Sequence, residues 1–280
     1  MPDPANIHVQ TVEGFGDEWS RFDQAALPEA ERLAIFKGYF SIFPWHAVPP
    51  DAVGFDLGCG SGRWAQLVAP RVGRLHCIDP SDAIEVARRN LERHRNCEFH
   101  RAAVDAMPLQ DASMDFGYSL GVLHHVPDTQ AGLDACVSKL KAGAPFLVYL
   151  YYAFDNRPWW FRAVWRLSDM VRHVLSTLPR GVTYGLTQLL ALLVYLPLAR
   201  TAALLERWGR DVSNFPLGFY RNHSVYTMRT DALDRFGTRL EQRFTRKQIQ
   251  TMMERAGLER VTISPTEPFW CAVGYRRSSS

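Results

Sequence analysis

The chain reads as an α/β fold, a mostly parallel sheet of seven strands with helices on both faces. Three observations predict it. Between residues 51 and 152 short apolar runs alternate with amphipathic ones. The first apolar run passes into the next segment through "VGFDLGCGSGRWAQ", Val53 to Gln66, with glycines on alternate positions. After a long interruption, one more amphipathic run and two more apolar ones close the chain. Parallel strands covered on both sides read as near-continuous apolar runs, and their alternation with helices gives a parallel sheet.

The elements follow in order. Residues 1–50 form an N-terminal helical cap rich in aromatics (Phe15, Trp19, Phe22, Phe36, Tyr39, Phe40, Phe43, Trp45), and it breaks at "VPPD", Val48–Asp51. Residues 51–152 are the first part of the core, with strands expected at Val53–Leu57, Arg74–Ile78, Glu98–Ala102, Met114–Leu120 and Ala144–Tyr152. Helices are expected between them at Arg63–Val68, Ala83–Arg93 and Thr129–Leu140. Residues 153–240 are a mostly helical insert after the fifth strand, and residues 241–280 complete the core. There, Thr245 and Gln248 have capping-box spacing and Gly257 stands as a helix stop. Strands Arg260–Ser264 and "FWCAVGYR" come next, before a short serine tail at Ser278–Ser280.

Composition bounds the function. At 280 residues the chain can bury one α/β domain with an elaboration, or two small domains. A net charge of +3 gives no electrostatic case for nucleic acid. No nucleic-acid partner is expected. The five cysteines (Cys59, Cys77, Cys97, Cys136, Cys271) include no C-x-x-C pair. That speaks against a disulfide framework or structural zinc and for a reducing compartment. With no basic stretch followed by an apolar core in the first twenty residues, a cytoplasmic location is expected.

The glycines fall where the first strand hands over to a helix, at the carboxyl edge where open α/β sheets bind ligands. A Cβ at Gly58 or Gly60 is expected to occupy ligand space, while Gly62 serves either the ligand or helix packing. A phosphate-binding Walker loop needs a lysine that is missing, and the G-x-G-x-G spacing differs from the dinucleotide G-x-G-x-x-G. Asp56, two residues before the first glycine, would repel a pyrophosphate but suits an ammonium group. Asp79 ends the second strand, where a carboxylate can accept both hydroxyls of a ribose. Together they call for an adenosine-type ligand without phosphate.

With these residues in view, "VGFDLGCGSG", "CIDPS", "AAVDAMPLQDASMDFGYSLGVLHHVPD" and "FTRKQIQTMMERAGL" resemble the successive motifs of class I S-adenosylmethionine-dependent methyltransferases. The ubiquinone/menaquinone-biosynthesis branch is the nearest in pattern. The resemblance covers about 51–152 and 241–276 and implies a Rossmann-like fold, S-adenosyl-L-methionine as methyl donor and S-adenosyl-L-homocysteine as product. No His/carboxylate cluster with ligand spacing stands out in the sequence, so no metal is expected. The resemblance assigns Asp56, Gly58 and Gly60 to the methionine end of the cofactor, with Cys59 a small packed residue of the same cofactor-binding loop, and Asp79 to the ribose. Val104 and Asp105 would lie against adenine, with Ser119 and Leu120 as the floor. One departure is Ala103, where relatives carry an acid for the adenine amino group; only Asp105, two residues on, remains.

Methyl transfer needs in-line positioning and, for an acceptor that must lose a proton, a placed base. His124 and His125, past the fourth strand, are the candidates, with His124 favoured; histidine titrates near neutrality. Tyr151 and Tyr152 follow, and only one of them should face the pocket, with Tyr152 the expected catalytic one. The expected reaction is O-methylation of a small or medium-sized metabolite, acidic or amphiphilic. N-, S- or C-methylation, a lipid-like acceptor, and a catalytically silent interaction protein are the alternatives.

The insert concentrates charge and apolarity. Residues 155–230 hold ten arginines, no lysine and four acids, a net +6, which leaves −3 for the rest of the chain. At its centre "LLALLVYLPLA", Leu189–Ala199, is too short to span a bilayer, and Pro197 is expected to interrupt it. A lid over the substrate is favoured over a homodimer-forming helix pair, and that over a peripheral membrane contact. Arg157, Arg221 and His223 are the expected substrate anchors.

Overall fold

The computed structural model describes residues 6–278, so the last two serines of the tail, like the first five residues, lie outside the described part. The chain divides into two units. The first comprises residues 1–24, 34–153 and 240–280, and the second residues 25–33 and 154–239.

The first unit is built on a seven-stranded sheet in the order β3-β2-β1-β4-β5-β7-β6. The strands are β1 (Val53–Leu57), β2 (Arg74–Ile78), β3 (Cys97–His100), β4 (Phe116–Leu120), β5 (Pro145–Tyr149), β6 (Leu258–Ile263) and β7 (Cys271–Arg276). β1 to β5 run parallel, and β7 pairs antiparallel with both β5 and β6. The expected strands are therefore present, β1 and β2 to the residue. β5 ends three residues early, because Tyr152 pairs only as an isolated bridge with Phe244.

Each face of the sheet buries its own core. Phe55, Leu57 and Phe146 face one cluster, closed by Leu133 and Val137 of α5 (Thr129–Lys139) and by Ile249 and Met253 of α10 (Arg246–Arg255). Leu75, Cys77, Phe116 and Tyr118 face the other, covered by Ala65 and Val68 of α3 (Ala65–Val68) and Ile84 of α4 (Ala83–Asn90). The aromatics of the cap join this second core: Phe36, in α2 (Glu29–Tyr39), and Phe40 stack at 4.3 Å, and Phe40 meets Tyr118 edge-on at 5.3 Å. The capping box forms as its spacing predicts, Thr245 Oγ1 accepting from Gln248 N–H and the Gln248 side chain from Thr245 N–H. Gly257 follows α10 at φ +92.

From β3 to β4 the chain crosses with only a short 3₁₀ turn, Val104–Ala106. One face of the β2–β3 edge therefore carries polar residues: His76 Nδ1 lies 3.0 Å from His100 Nε2, and Glu98 pairs with Arg74 at 3.2 Å. Charge on an edge strand discourages pairing with another chain.

In the second unit, α6 (Trp159–Leu175) and α9 (Val225–Gly237) accompany α7 (Arg180–Leu190) and α8 (Leu196–Arg207). Through a π-helical turn at Ala191–Tyr195, α7 and α8 form one continuous helix, Arg180–Arg207. Two expectations are corrected here. Pro197 does not interrupt the helix: it sits in the first turn of α8, where its missing N–H falls next to the π turn. The apolar stretch is also longer than Leu189–Ala199, since residues 181–199 carry no charge. By length and composition alone this helix could cross a membrane.

Candidate functional site

At the carboxyl edge of the sheet, the turn after β1 carries φ +73 at Gly58 and φ +53 at Gly60, values that favour glycine. What a side chain would meet there is not open ligand space. A Cβ on Gly58 would come within 2.3 Å of Val122, and one on Gly60 within 3.0 Å of the Trp19 indole. Gly62 backs onto Leu91 and Ala87, a packing role. The expectation about Gly58 and Gly60 is corrected in that sense: the glycines let the chain's own elements close on the loop.

The loop and Asp79 converge. The Asp79 carboxylate, at the end of β2, accepts Gly60 N–H at 3.0 Å through one oxygen. Its other oxygen accepts Ser81 N–H at 2.9 Å and the Ser81 hydroxyl at 2.6 Å. Burial raises its pKa, and these hydrogen bonds oppose the rise.

Asp56 differs. It is buried one strand away, beside Tyr118 in the β1–β4 register. Its Oδ2 has no hydrogen-bond partner among the described residues, and neither does the Tyr118 hydroxyl. Burial pushes the carboxyl up to about 8; the nearby Tyr118 hydroxyl opposes the shift and Asp79 adds to it. A buried acceptor without a partner is costly, and a ligand ammonium would satisfy it. The residues at this edge therefore fit the adenosine-type ligand without phosphate, carrying an ammonium group, that the sequence calls for.

Around them, Cys59 is buried and its thiol is pushed up to about 11 by burial, so it stays protonated. Ser119, fully buried, donates to Leu57 O at 3.1 Å, with half-buried Leu120 beside it. Val104 packs into the core, while exposed Asp105 accepts Asn6 N–H at 2.8 Å.

One helix spans these loops. α1 (Val9–Arg21) sets Phe15 edge-on to His125 at 5.0 Å, passes Gly16 against Ser81 and Asp82, and rests Trp19 on Gly60. Arg63 lies over Trp64 at 4.1 Å and over Trp19 at 5.6 Å, tying the helix to the loop. A single helix thus closes the turns after β1, β2 and β4. Phe15, Trp19, Arg63 and Val122 were not expected as site residues; the i, i+4 spacing of Phe15 and Trp19 is the signal that would have found two of them.

The histidines are distinct. His124 is fully buried and stacks on Tyr151 at 3.8 Å. Burial holds its pKa well below the usual value, with His125 and Arg243 adding to the effect. Its Nδ1 accepts Tyr151 N–H at 3.4 Å, which leaves the proton on Nε2. The His125 Nδ1 faces Leu240 O at 2.6 Å and donates to it, so in the neutral form of the ring the lone pair is on Nε2. Tyr151 and Tyr152 do part, but Tyr151 joins the histidines, while Tyr152 packs with Phe269 and Trp270 at 5.6 and 6.2 Å.

The expected substrate anchors are engaged within the second unit. Arg157 donates to Ser213 O and Arg221 to Glu206 Oε1, and the His223 ring stacks on Phe219 at 4.6 Å. Among the described residues, His76, Glu98 and His100 are the group that could hold a metal, their ligand atoms lying within 4.8 Å of one another.

A methyltransferase-domain model matches residues 55–148. The ubiquinone biosynthesis O-methyltransferase of Xylella fastidiosa (strain M23) is 30% identical over 183 residues, 63% of this chain and 69% of that protein. The chain belongs to the class I S-adenosylmethionine-dependent methyltransferases. The enzyme of the same description from Idiomarina loihiensis is 29% identical over 156 residues, 49% of this chain, and the match spans 61% of its length. A solved S-adenosylmethionine-dependent methyltransferase from Aquifex aeolicus superimposes on this methyltransferase with a TM-score of 0.51, covering 91% of this chain and 96% of that one. At 13% identity that likeness speaks to the fold.

Proposed function

We propose that this methyltransferase carries a methyl group from S-adenosylmethionine to an oxygen of a small or medium-sized, acidic or amphiphilic metabolite, releasing S-adenosylhomocysteine. The observation that carries the reading is α1, which closes over the turns after β1, β2 and β4 where cofactor and acceptor would meet. The names of the similar proteins, ubiquinone biosynthesis O-methyltransferases, favour oxygen as the acceptor atom. The five free cysteines favour a reducing, cytoplasmic setting.

When bound, S-adenosylmethionine would supply a methyl group already activated on a sulfonium. The protein's own work is then positioning and proton removal. Asp56 holds the ammonium, Asp79 the ribose hydroxyls, Val104 and Asp105 the adenine, and Ser119 and Leu120 form the floor. Phe15 and Trp19 exclude water, and holding reactants at attack distance can contribute roughly 7–11 kcal/mol. His125 takes the proton of the acceptor on Nε2, because its Nδ1–H is held by Leu240 O. His124, buried and neutral with its proton on Nε2, orients Tyr151 instead. This mechanism calls for no metal.

The acceptor is found by incubating metabolite extract with the enzyme and methyl-labelled cofactor and reading the labelled product by mass spectrometry. With that acceptor, His125→Ala is expected to lower kcat by about 10²–10⁴-fold while the cofactor Kd holds. Unchanged turnover would remove His125 as the base, and label on nitrogen or carbon would remove oxygen as the acceptor.

A further inference from the structure

The second unit turns two apolar stripes to solvent. On α6, Trp160, Val164, Leu167, Val171 and Val174 recur at helical spacing and are all exposed, Leu167 at 65%. On the continuous helix, Val182, Leu186, Leu189 and Leu193 repeat the pattern, with Leu193 at 71%. The opposite side of that helix is occupied: Ala191, Tyr195 and Ala199 pack with Met228, Ala232 and Phe236 of α9. Soluble surfaces seldom carry contiguous apolar stripes of this kind without a partner.

The borders are basic and aromatic. Arg162 and Arg166 are exposed on α6, and Arg180 and Arg200 bracket the uncharged residues 181–199. Trp159 opens α6 at 74% exposure and Trp208 follows α8 at 69%. Indole rings settle at a membrane–water boundary, and arginines there meet anionic headgroups.

We propose that this face docks on an anionic lipid bilayer, with both helices lying in the plane of the headgroup–acyl boundary. The continuous helix lies on the bilayer and does not cross it. Its inner side is packed on α9, whose Arg229, Asp231, Asp234 and Arg235 would have to follow it into hydrocarbon. A second copy of the chain suits the face less well. In a two-fold pair the same patch meets itself, and residues 155–230 offer four acids to ten arginines.

The test is flotation of the full chain with vesicles of phosphatidylglycerol and phosphatidylcholine, against phosphatidylcholine alone. Binding is expected to the anionic vesicles, weakening with salt and by about fivefold for each arginine removed in Arg162→Gln and Arg166→Gln. The double variant Leu167→Glu/Leu193→Glu should abolish it while cofactor binding and helix content are retained, since both side chains are exposed. The proposal is overturned if the wild-type chain does not float with anionic vesicles or if the double variant floats equally well. It is also overturned if the wild-type chain sediments as a dimer that the double variant dissociates, which would give the face to a second copy.

Discussion

Burial beneath the glycine loop lifts the Asp56 carboxyl to about 8, and that shift couples cofactor binding to pH. Its folded value lies above the unfolded one, so the native state keeps a proton that the unfolded chain gives up near 3.8. Asp56 thus favours folding less and less as pH rises from about 4 through 8. An ammonium group placed beside the carboxyl reverses the preference and expels the proton. S-adenosylmethionine affinity should therefore strengthen between about pH 6 and pH 8. Calorimetry in buffers of different ionisation enthalpy should detect a proton released on binding, and Asp56→Asn should remove both effects. A pH-independent Kd would take the ammonium away from Asp56. The two acids were legible in the sequence because each ends an apolar run, a pattern visible in one dimension. The division of labour between the histidines was not. The proton on His125 is placed by Leu240 O, 115 residues along the chain, and no local pattern encodes that contact. Tyr151 and Tyr152 escaped for a related reason: β5 stops at Tyr149, so strand alternation no longer fixes which of them turns inward.

At the scale of elements, the parallel strands were readable because strands buried on both sides leave little room for polar residues. The continuous helix was less so. A proline within an apolar stretch ordinarily signals an end, whereas here a π turn one residue before α8 absorbs it. The function of the glycine turn was also legible only in part. Sequence shows that small residues are required, and the structure shows what presses on them. Gly58 combines φ +73 with a Val122 side chain 2.3 Å from where a Cβ would stand. Gly58→Ala should therefore cost about 2–4 kcal/mol, from left-handed strain and overpacking together. Val122→Ala removes the two γ-methyls, which would stand 2.3 and 2.5 Å from that Cβ, and leaves its own Cβ at 2.9 Å, so it relieves part of the steric penalty. Denaturant unfolding of the two single variants and the double should give a coupling energy of at least about 1 kcal/mol. Additive losses would mean that Val122 is not what presses on the turn.

At the scale of the whole molecule, the part that matches the methyltransferase-domain model stops at residue 148, inside β5, yet the sheet does not. β7 lies antiparallel along β5 from Pro145 to Tyr149, and β6 lies beyond it. Both come from the last forty residues, which also supply α10 and its Ile249 and Met253 to the core over α5. Without them, β5 would present unpaired backbone beside Phe146, Leu147 and Val148, all fully buried in the intact chain. A long apolar edge is a template for pairing with other chains, and the core facing α10 would lie open as well. A chain ending at Arg239 should therefore be recovered as high-molecular-weight aggregate on size-exclusion chromatography. Supplying residues 240–280 as a separate peptide during refolding should restore part of the soluble, cofactor-binding fraction. A truncated chain that stays monodisperse and binds S-adenosylmethionine would show that the five parallel strands sustain the site without the antiparallel pair.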